Sequence, residues 1–193
     1  MASFLPEGTK EPVKSNYLTF QEGKNTFRVL GSSVVGWEYW TEEIVDGVKK
    51  SKPHRVTKEE TIPIGEVVFN KYGNLNINYF WAFPVYNVMA SKIQILEITQ
   101  KSVRDAIRGY LDNKLWGDPR DYNFEVTRSK SADGKTQYQT IAEPKEKLDP
   151  EITKRFEAMK IDMQVWMACG DPFAITNQEP EVNDEETEEI FRA

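Results

Sequence analysis

A chain of 193 residues with 39% hydrophobic and 12% aromatic residues is long enough to bury one good core, and this composition excludes a mainly disordered protein. Its apolar runs are too short to cross a bilayer, and its first residues lack the basic and apolar regions of a signal peptide. With one cysteine, Cys169, and one histidine, His54, it can form neither an intramolecular disulfide nor a zinc site of cysteine and histidine ligands. We therefore expect a cytoplasmic protein without a metal, a cofactor or a membrane contact.

Residues suited to catalysis are also scarce. A serine or cysteine nucleophile would depend on His54, which stands in a basic stretch without a partner motif. The carboxylate pairs Asp118/Asp121 and Glu59/Glu60 could be ligands of a metal-dependent nuclease, but the two aspartates stand where this residue commonly caps turns. No glycine-rich phosphate loop is present. We expect a protein that is not an enzyme.

Negative charge is concentrated near the C-terminus. Seven carboxylates and one arginine between Glu179 and Ala193 account for the whole formal charge of the chain, −6. We predict a flexible leader at 1–16, a folded domain at 17–170 and a disordered acidic tail at 171–193. The tail is either a solvated end or a segment that recruits partners or competes with a ligand for the domain. Its candidate partner-binding residues are Glu185, Glu186, Glu188, Glu189, Ile190 and Phe191.

The first half of the domain predicts strands and one long connection. Tyr17 to Phe20 predicts a short strand, and a longer strand over 26–40 is interrupted by Gly31-Ser32-Ser33. Glycine and serine at such a point favour the bend that a strongly coiled barrel strand requires. Residues 41–78 are polar and punctuated by glycine and proline, which predicts a long loop or small insertion in which 61–69 could form a hairpin.

The second half of the domain alternates strands with helices. Pro84 indicates a local edge or bulge in its strand, and Asp133-Gly134 is a strong hairpin signal between two alternating runs. The predicted elements are strands at 79–86 and 92–98, a helix from an N-cap at Thr99 to Asp112, strands at 122–128 and 136–141, and a C-terminal helix at 149–168.

Without the short strand at 17–20, the predicted order is five strands with a helix between the third and the fourth, which is the order of an OB-fold barrel. We therefore predict a mainly β protein, with a five-stranded OB-fold barrel and a C-terminal helix. Such barrels hold oligonucleotides on an open face, between the loops that join strands one to two and four to five.

Aromatic side chains supply candidate stacking surfaces. Adjacent strand residues point to opposite faces, so Tyr39 and Trp40 cannot both face a barrel interior, nor can Phe80 and Trp81. Each of these rings is either core or, if no other element covers it, a platform for a base. The aromatic candidates for DNA binding are Trp37, Tyr39, Trp40, Tyr72, Tyr79, Phe80, Trp81 and Phe83.

Basic residues occur in both loops that would flank such a face. Arg28 lies between Phe27 and Val29 in a strand, and is either a phosphate or stacking contact or a core residue paired with a carboxylate such as Glu38 or Glu97. The basic candidates are Lys49, Lys50, Lys52, His54 and Arg55 in the first loop, Arg128, Lys130 and Lys135 around the second loop, and Arg28.

Six segments in the expected order, spread over roughly residues 17–152, resemble those of phage single-stranded-DNA-binding proteins. The segments are Thr26–Leu30, Gly36–Trp40, Lys52–Val56, Trp81–Asn87, Ile95–Ser102 and Trp116–Tyr122. The resemblance implies an OB-fold, a role in replication or recombination in the infected bacterial cell, and a tail that recruits partner enzymes. It marks Trp37, Tyr39, Trp40, Arg55 and the aromatics of 80–83 as the DNA-facing candidates, without indicating which member of each neighbouring pair faces outward.

The chain departs from this family in two ways. It lacks ligands for the structural zinc module of some phage relatives, and Arg192-Ala193 follow the apolar Phe191, where acidic tails usually end on an apolar residue. We predict sequence-tolerant binding of single-stranded DNA, with the oligomeric state, a homo-oligomer included, left open. The alternatives are a protein–protein adaptor built on the barrel, which the balanced charge of the body suits, and an RNA-binding OB module.

Overall fold

The computed structural model describes residues 15–173. The predicted leader at 1–16 and acidic tail at 171–193, with its candidates Glu185 to Phe191, therefore lie almost entirely outside the described residues. The strands are β1 (Tyr17–Leu18), β2 (Gly23–Val29), β3 (Val34–Val45), β4 (Val48–Val56), β5 (Ile77–Asn87), β6 (Lys92–Ile98), β7 (Asn123–Lys130) and β8 (Thr136–Ala142). The helices are α1 (Lys101–Asp112), α2 (Pro150–Met159) and α3 (Met163–Met167).

All eight strands belong to one sheet. Its main path runs β1-β6-β5-β2-β7-β8, while β3 pairs with β5 and carries β4 on its other side. All neighbouring pairs are antiparallel except β1 and β6, which are parallel. The mainly β architecture is confirmed. Five strands were too few, and within residues 15–173 the sheet does not close, because its path ends at β1 and β8.

β2 and β3 lie end to end along one side of β5. Val29 pairs with Val85 and Val34 with Ala82, so the interruption predicted at Gly31-Ser32-Ser33 is present. Pro84 stands opposite this bend, where its carbonyl accepts a hydrogen bond of 3.0 Å from the Leu30 amide. The nitrogen and oxygen of an extended residue point to the same side, so the missing amide proton of Pro84 falls where the neighbouring strand is interrupted. β5 is consequently a central strand despite its proline.

The loop predicted at 41–78 is wrong over its first half. β3 continues to Val45 and returns as β4 through Asp46-Gly47, whose φ angles of 55° and 77° are those of a two-residue hairpin turn. This Asp-Gly pair is the same signal that correctly predicted the hairpin at Asp133-Gly134. The rest of the segment contains 3-10 turns at Glu59–Thr61 and Ile64–Glu66, and the structure shows no hairpin at 61–69.

Both faces of β5 are buried. On one face Trp81, Phe83 and Val85 join the main core, which also includes residues of β2, β6, β7 and α1. On the other face Phe80 and Ala82 pack against a second cluster formed with Trp166 and Phe173 from the C-terminal segment. The C-terminal helices therefore cover the outer face of the sheet, and adjacent aromatics can both be buried.

The two predicted helices differ in detail from those observed. The single helix expected at 149–168 is divided into α2 and α3 by Lys160, which has left-handed backbone angles of φ 45° and ψ 44°. α1 begins after Gln100 without a side-chain cap, so the N-cap expected at Thr99 is wrong. The Arg104 guanidinium instead donates to the carbonyls of Ile98 and Thr99. Over residues 15–173 no helix is long and apolar enough to span a membrane.

Candidate functional site

Two half-buried rings, Trp37 of β3 and Tyr79 of β5, form a surface that we call the aromatic ledge. They are cross-strand partners, and their ring centroids are 5.1 Å apart with the planes tilted by 58°. Arg104 of α1 lies over the Tyr79 ring, 5.1 Å from its centroid, and donates to the Tyr79 carbonyl at 2.6 Å. The ledge therefore combines neighbouring aromatic faces with a cation at one side, the combination that holds unstacked bases.

Beside the ledge opens a cavity of about 520 Å³, which we call the mouth pocket. It lies between the bend after β2, the first half of β5, α1 and the 3-10 turn at Pro119–Asp121. Its volume is in the range of small-molecule sites. Its wall and rim include Val35, Tyr79, Trp81, Arg108, Leu111 and Arg120.

Two arginines stand at the rim of the mouth pocket. The exposed Arg108 guanidinium lies 5.3 Å from the centroid of the Trp81 ring. The nearby Asp105 pairs with Lys101, and no ion pair of Arg108 is seen among the described residues. Arg120 is held by Asp118, which accepts from its Nε at 2.9 and 3.1 Å, and this bond lowers the pKa of Asp118 to about 2. Arg108 is therefore the cation that is freer to contact an anion.

The basic residues of the β3–β4 hairpin are divided between its two faces. Lys50, Lys52 and His54 lie opposite Glu43, Thr41 and Tyr39, on the side of β3 that carries Trp37. Lys49 lies on the other side. The exposed lysines have acidic neighbours, since Lys49 pairs with Glu42 at 3.0 Å and Lys52 with Glu43 at 3.5 Å. The predicted basic first loop is thus a strand whose charges are largely balanced.

Four of the eight aromatic candidates are buried, so for these rings the core alternative applies and not the exposed platform. Tyr39 stacks on His54, with centroids 5.0 Å apart, in a cluster with Ile62 and Val67. Phe80 has no exposed surface and packs edge-on against Trp166. Trp81 and Phe83 belong to the main core and reach solvent only where they line the mouth pocket.

The remaining aromatic candidates lie apart from the ledge. Trp40 is half-buried on the opposite face of β3, where its indole N–H donates to Glu38 at 3.3 Å. Tyr72 is exposed in the turn between Phe69 and Leu75, beside the Lys71 ammonium. Neither is brought to the mouth pocket.

Arg28 is buried, so its assignment as a DNA contact is wrong. Its guanidinium donates to the Asn123 side chain at 2.7 Å and to the carbonyls of Arg120 and Glu146 at 3.2 and 3.0 Å. Burial lowers the pKa of Arg28 from its ordinary value. The carboxylate partners Glu38 and Glu97, proposed for a core position, are also not the ones it uses.

Arg55, the strongest basic candidate from the resemblance, is also used within the protein. It pairs with Glu38 at 3.0 Å and Glu97 at 3.6 Å, and its guanidinium lies 3.7 Å from the centroid of the Trp166 ring. Burial, and then the Glu38 charge, raise the pKa of Glu97 to about 7. This cluster joins β3, β4 and β6 to α3, so Arg55 holds the C-terminal cover instead of facing a ligand.

The basic residues of the second loop are not joined to the first. Arg128 donates to the Phe20 carbonyl at 2.8 Å, Lys135 pairs with Asp133 at 2.7 Å, and Lys130 is exposed. β8 pairs only with β7 and β4 only with β3, so in the described sheet the two hairpins belong to separate parts.

Sequence reasoning missed the arginines that accompany the aromatic surface. Arg104 and Arg108 are four residues apart on α1, on neighbouring turns of one helix face. This spacing, in a helix next to an aromatic strand, was the signal that could have found them. Between residues 15 and 173 no group of three or more histidine, cysteine, aspartate or glutamate side chains is arranged to hold a metal ion.

No protein-family model, no curated protein and no solved structure matches this chain.

Proposed function

We propose that this chain binds single-stranded DNA with little sequence preference. The observation that carries the proposal is the aromatic ledge of Trp37 and Tyr79, continuous with the open mouth pocket and accompanied by Arg104 and Arg108. Bases stack on the rings, while Arg108 and the exposed lysines of the hairpin replace the counterions of the phosphates. No step of this function requires a cofactor.

The proposed architecture is an elaborated OB-fold. The bent strand β2–β3, the strands β5 and β6, the helix α1 and the strands β7 and β8 follow the OB order, with an antiparallel pairing between β2 and β7. In this interpretation the β3–β4 hairpin is the enlarged connection between the first and second barrel strands, which is a ligand-binding loop in that fold. β1 is an added strand.

The proposed setting is phage DNA replication or recombination in the cytoplasm of an infected bacterium. The support for it is the resemblance of the six sequence segments to phage single-stranded-DNA-binding proteins. The acidic tail then recruits replication or recombination enzymes, or competes with DNA for the cationic surface. A homo-oligomer is compatible with this role.

The proposal is tested by fluorescence anisotropy of labelled oligo-dT, titrated with the full chain at low and moderate salt. Duplex DNA and oligo-U are the comparison ligands. Replacing both ledge rings (Trp37→Leu with Tyr79→Leu) should weaken oligo-dT binding at least tenfold, because each stacked base contributes about 1–3 kcal/mol. Trp40→Leu is the matched control, since Trp40 lies in the same strand on the opposite face.

The outcomes separate the functions considered. Oligo-dT binding that is weakened by the ledge variant and not by the control supports the proposal, provided that circular dichroism shows both variants folded. Tighter binding of oligo-U assigns the ledge to RNA. An absence of binding to every oligonucleotide overturns the proposal.

One observation favours a protein–protein adaptor as the second candidate. Ile44 and Val48, at the end of the β3–β4 hairpin, are 74% and 60% exposed, so two apolar side chains meet solvent at one projecting tip. In an adaptor this tip would enter a partner, and Ile44→Lys would abolish partner binding without changing affinity for oligo-dT.

A further inference from the structure

The mouth pocket is deeper than a stacking surface requires. Its floor is formed by Val29, Phe83 and Phe124, whose side chains are at most 8% exposed. Bases stacked side by side along a ledge need flat rings and no cavity of about 520 Å³. Strand binding along the ledge alone therefore leaves this cavity without a role.

The lining of the pocket changes from apolar to charged towards solvent, where the Asp118 carboxylate also belongs to the lining and is paired with Arg120. Trp81 forms an aromatic wall above the floor, and Arg108 and Arg120 stand at the rim on different elements. The exposed serines of the bend, Ser32 and Ser33, add hydroxyl groups at the entrance. An apolar slot with an aromatic wall suits a flat ring, and cations at its entrance suit the phosphates on either side of that ring.

We infer that the mouth pocket holds one nucleobase turned out of the single strand, an inference that rests on the proposed function. The ring of this base enters beside Trp81, and its flanking phosphates lie at Arg108 on one side and Arg120 on the other. Tyr79 lines both the ledge and the pocket, so the strand passes from one to the other without a break. One base of each bound segment is then held differently from its neighbours.

A second cavity continues this path beyond Arg120. It has a volume of about 480 Å³ and is lined by the basic Arg120, Lys145 and Lys147, the acidic Asp121 and Glu146, and Leu148. Lys145 is 3.7 Å from Asp121, while Lys147 is exposed and shows no ion pair within the described part of the chain. The backbone that leaves the mouth pocket therefore meets a further cation.

The test uses an oligonucleotide backbone of about 12 units, within the site sizes of single-stranded-DNA-binding domains. One version is abasic throughout, and the other carries a single central 2-aminopurine. The full chain should bind the second version about tenfold more tightly and quench its fluorescence, because only this version offers a base to the pocket. An oligonucleotide with a single base has only one position that can enter the pocket. Oligo-dT could place any of its bases there, so its signal would be an average over many positions.

Two variants that fill the pocket and one that removes a ledge ring test where this base lies. Leu111→Trp fills the pocket from the rim, where Leu111 is 41% exposed, and should abolish the tenfold gain and the quenching. Val35→Trp fills the pocket from β3, where Val35 is 45% exposed. It should have the same effect, and it provides a second test if Leu111→Trp does not fold. Trp37→Leu removes a ledge ring and should leave the gain in place.

The opposite pattern would overturn the inference. If Trp37→Leu abolishes the gain while both pocket-filling variants keep it, the base lies on the ledge and the pocket is empty, and the proposed function still stands. Failure of the unmodified protein to bind even oligo-dT would overturn the proposed function as well.

Discussion

Arg28 is buried and the Arg55 side chain is mostly buried, but their charges are compensated by different kinds of partner. Arg28 donates to neutral acceptors, the Asn123 amide oxygen and two carbonyls, while Arg55 pairs with Glu38 and Glu97 beneath the Trp166 ring. Such partners offset the cost of burying a charge, although Arg55 Nε and Glu97 Oε1 have no hydrogen-bond partner among the described residues. Each guanidinium ties together segments far apart in the sequence, so both side chains act in folding.

The Glu97 carboxyl should make stability depend on pH. Its pKa rises from 4.5 to about 7, so between these values the folded protein holds a proton that the unfolded chain has released. The free energy of unfolding therefore falls by at most about 3 kcal/mol as the pH rises across this window, and it stays constant above it. Glu97→Gln should remove this fall, so that the variant gains stability relative to the unmodified protein from pH 4.5 to 8.

Urea unfolding at a series of pH values measures this difference. The charged groups that face Glu97 are Glu38 of β3 and Arg55 of β4, and the Tyr17 hydroxyl of β1 interacts with its charge; all three remain in the variant. Glu42→Gln, which changes an exposed carboxylate of the hairpin, is the control and should follow the unmodified protein. A Glu97→Gln curve parallel to the original would contradict the assignment.

At the scale of single residues, alternation predicted that neighbouring aromatics point to opposite faces but not which face another element covers. Phe80 and Trp81 do point apart, yet both are buried because Trp166, 86 positions after Phe80, covers Phe80. No local pattern contains that contact. The arginines were misjudged for the same reason, since their partners are long-range carbonyls and carboxylates.

Among the elements, the junction between α2 and α3 is held by an unusual backbone. Lys160 is exposed and has the left-handed conformation that follows many helix ends, where glycine is favoured. The turn lets α3 fold back onto the outer face of β5. The sequence pattern joined the two helices because no glycine marks the break and an apolar stripe of helical spacing continues across it, at Ile152, Phe156, Met159, Met163 and Trp166.

Lys160→Gly should therefore stabilise the protein by about 0.5–1 kcal/mol, because glycine adopts this conformation without a steric penalty. Lys154→Gly, an exposed lysine inside α2, is the matched control and should destabilise by about 1 kcal/mol. Thermal unfolding, followed by circular dichroism, measures whether each variant is more or less stable than the unmodified protein. A loss of stability at both positions would show that the left-handed turn is not maintained in solution.

Strands and turns were predictable where the signal was local. The breaks at Gly31-Ser32-Ser33 and Asp133-Gly134 were predicted because small and turn-forming residues interrupt alternating runs. β4 was missed because Lys49 to Arg55 contains a proline and almost no apolar residue. The alternation of apolar and polar residues that identifies a strand is therefore absent from its sequence. Its pairing depends on β3 and on the Asp46-Gly47 turn.

For the whole molecule, the balance of charge determines how salt should act on binding. The hairpin lysines have carboxylate neighbours, so few phosphates can be neutralised and the salt dependence of oligo-dT binding should be shallow. Each lost phosphate contact removes about 0.7 from the slope of log affinity against log salt. Lys50→Gln with Lys52→Gln removes two such contacts and should flatten the slope by about 1.4.

The same titration on Lys24→Gln provides the control, because Lys24 is an exposed lysine of β2 that pairs with Glu125 at 2.9 Å, away from the ledge. Its slope should equal that of the unmodified protein. Equal slopes for the hairpin variant and the control would exclude the hairpin lysines from the path of the strand.

The dependence of the outer face of β5 and β6 on the C-terminal helices has a consequence during translation. These strands are complete by Ile98, whereas α3 begins only at Met163, so Phe80 and Ile95 have no cover while the ribosome makes the intervening chain. At about 5–20 residues per second, the delay is on the order of several seconds. A nascent or prematurely terminated chain therefore displays an apolar strip that chaperones can bind, and only full synthesis through α3 hides it.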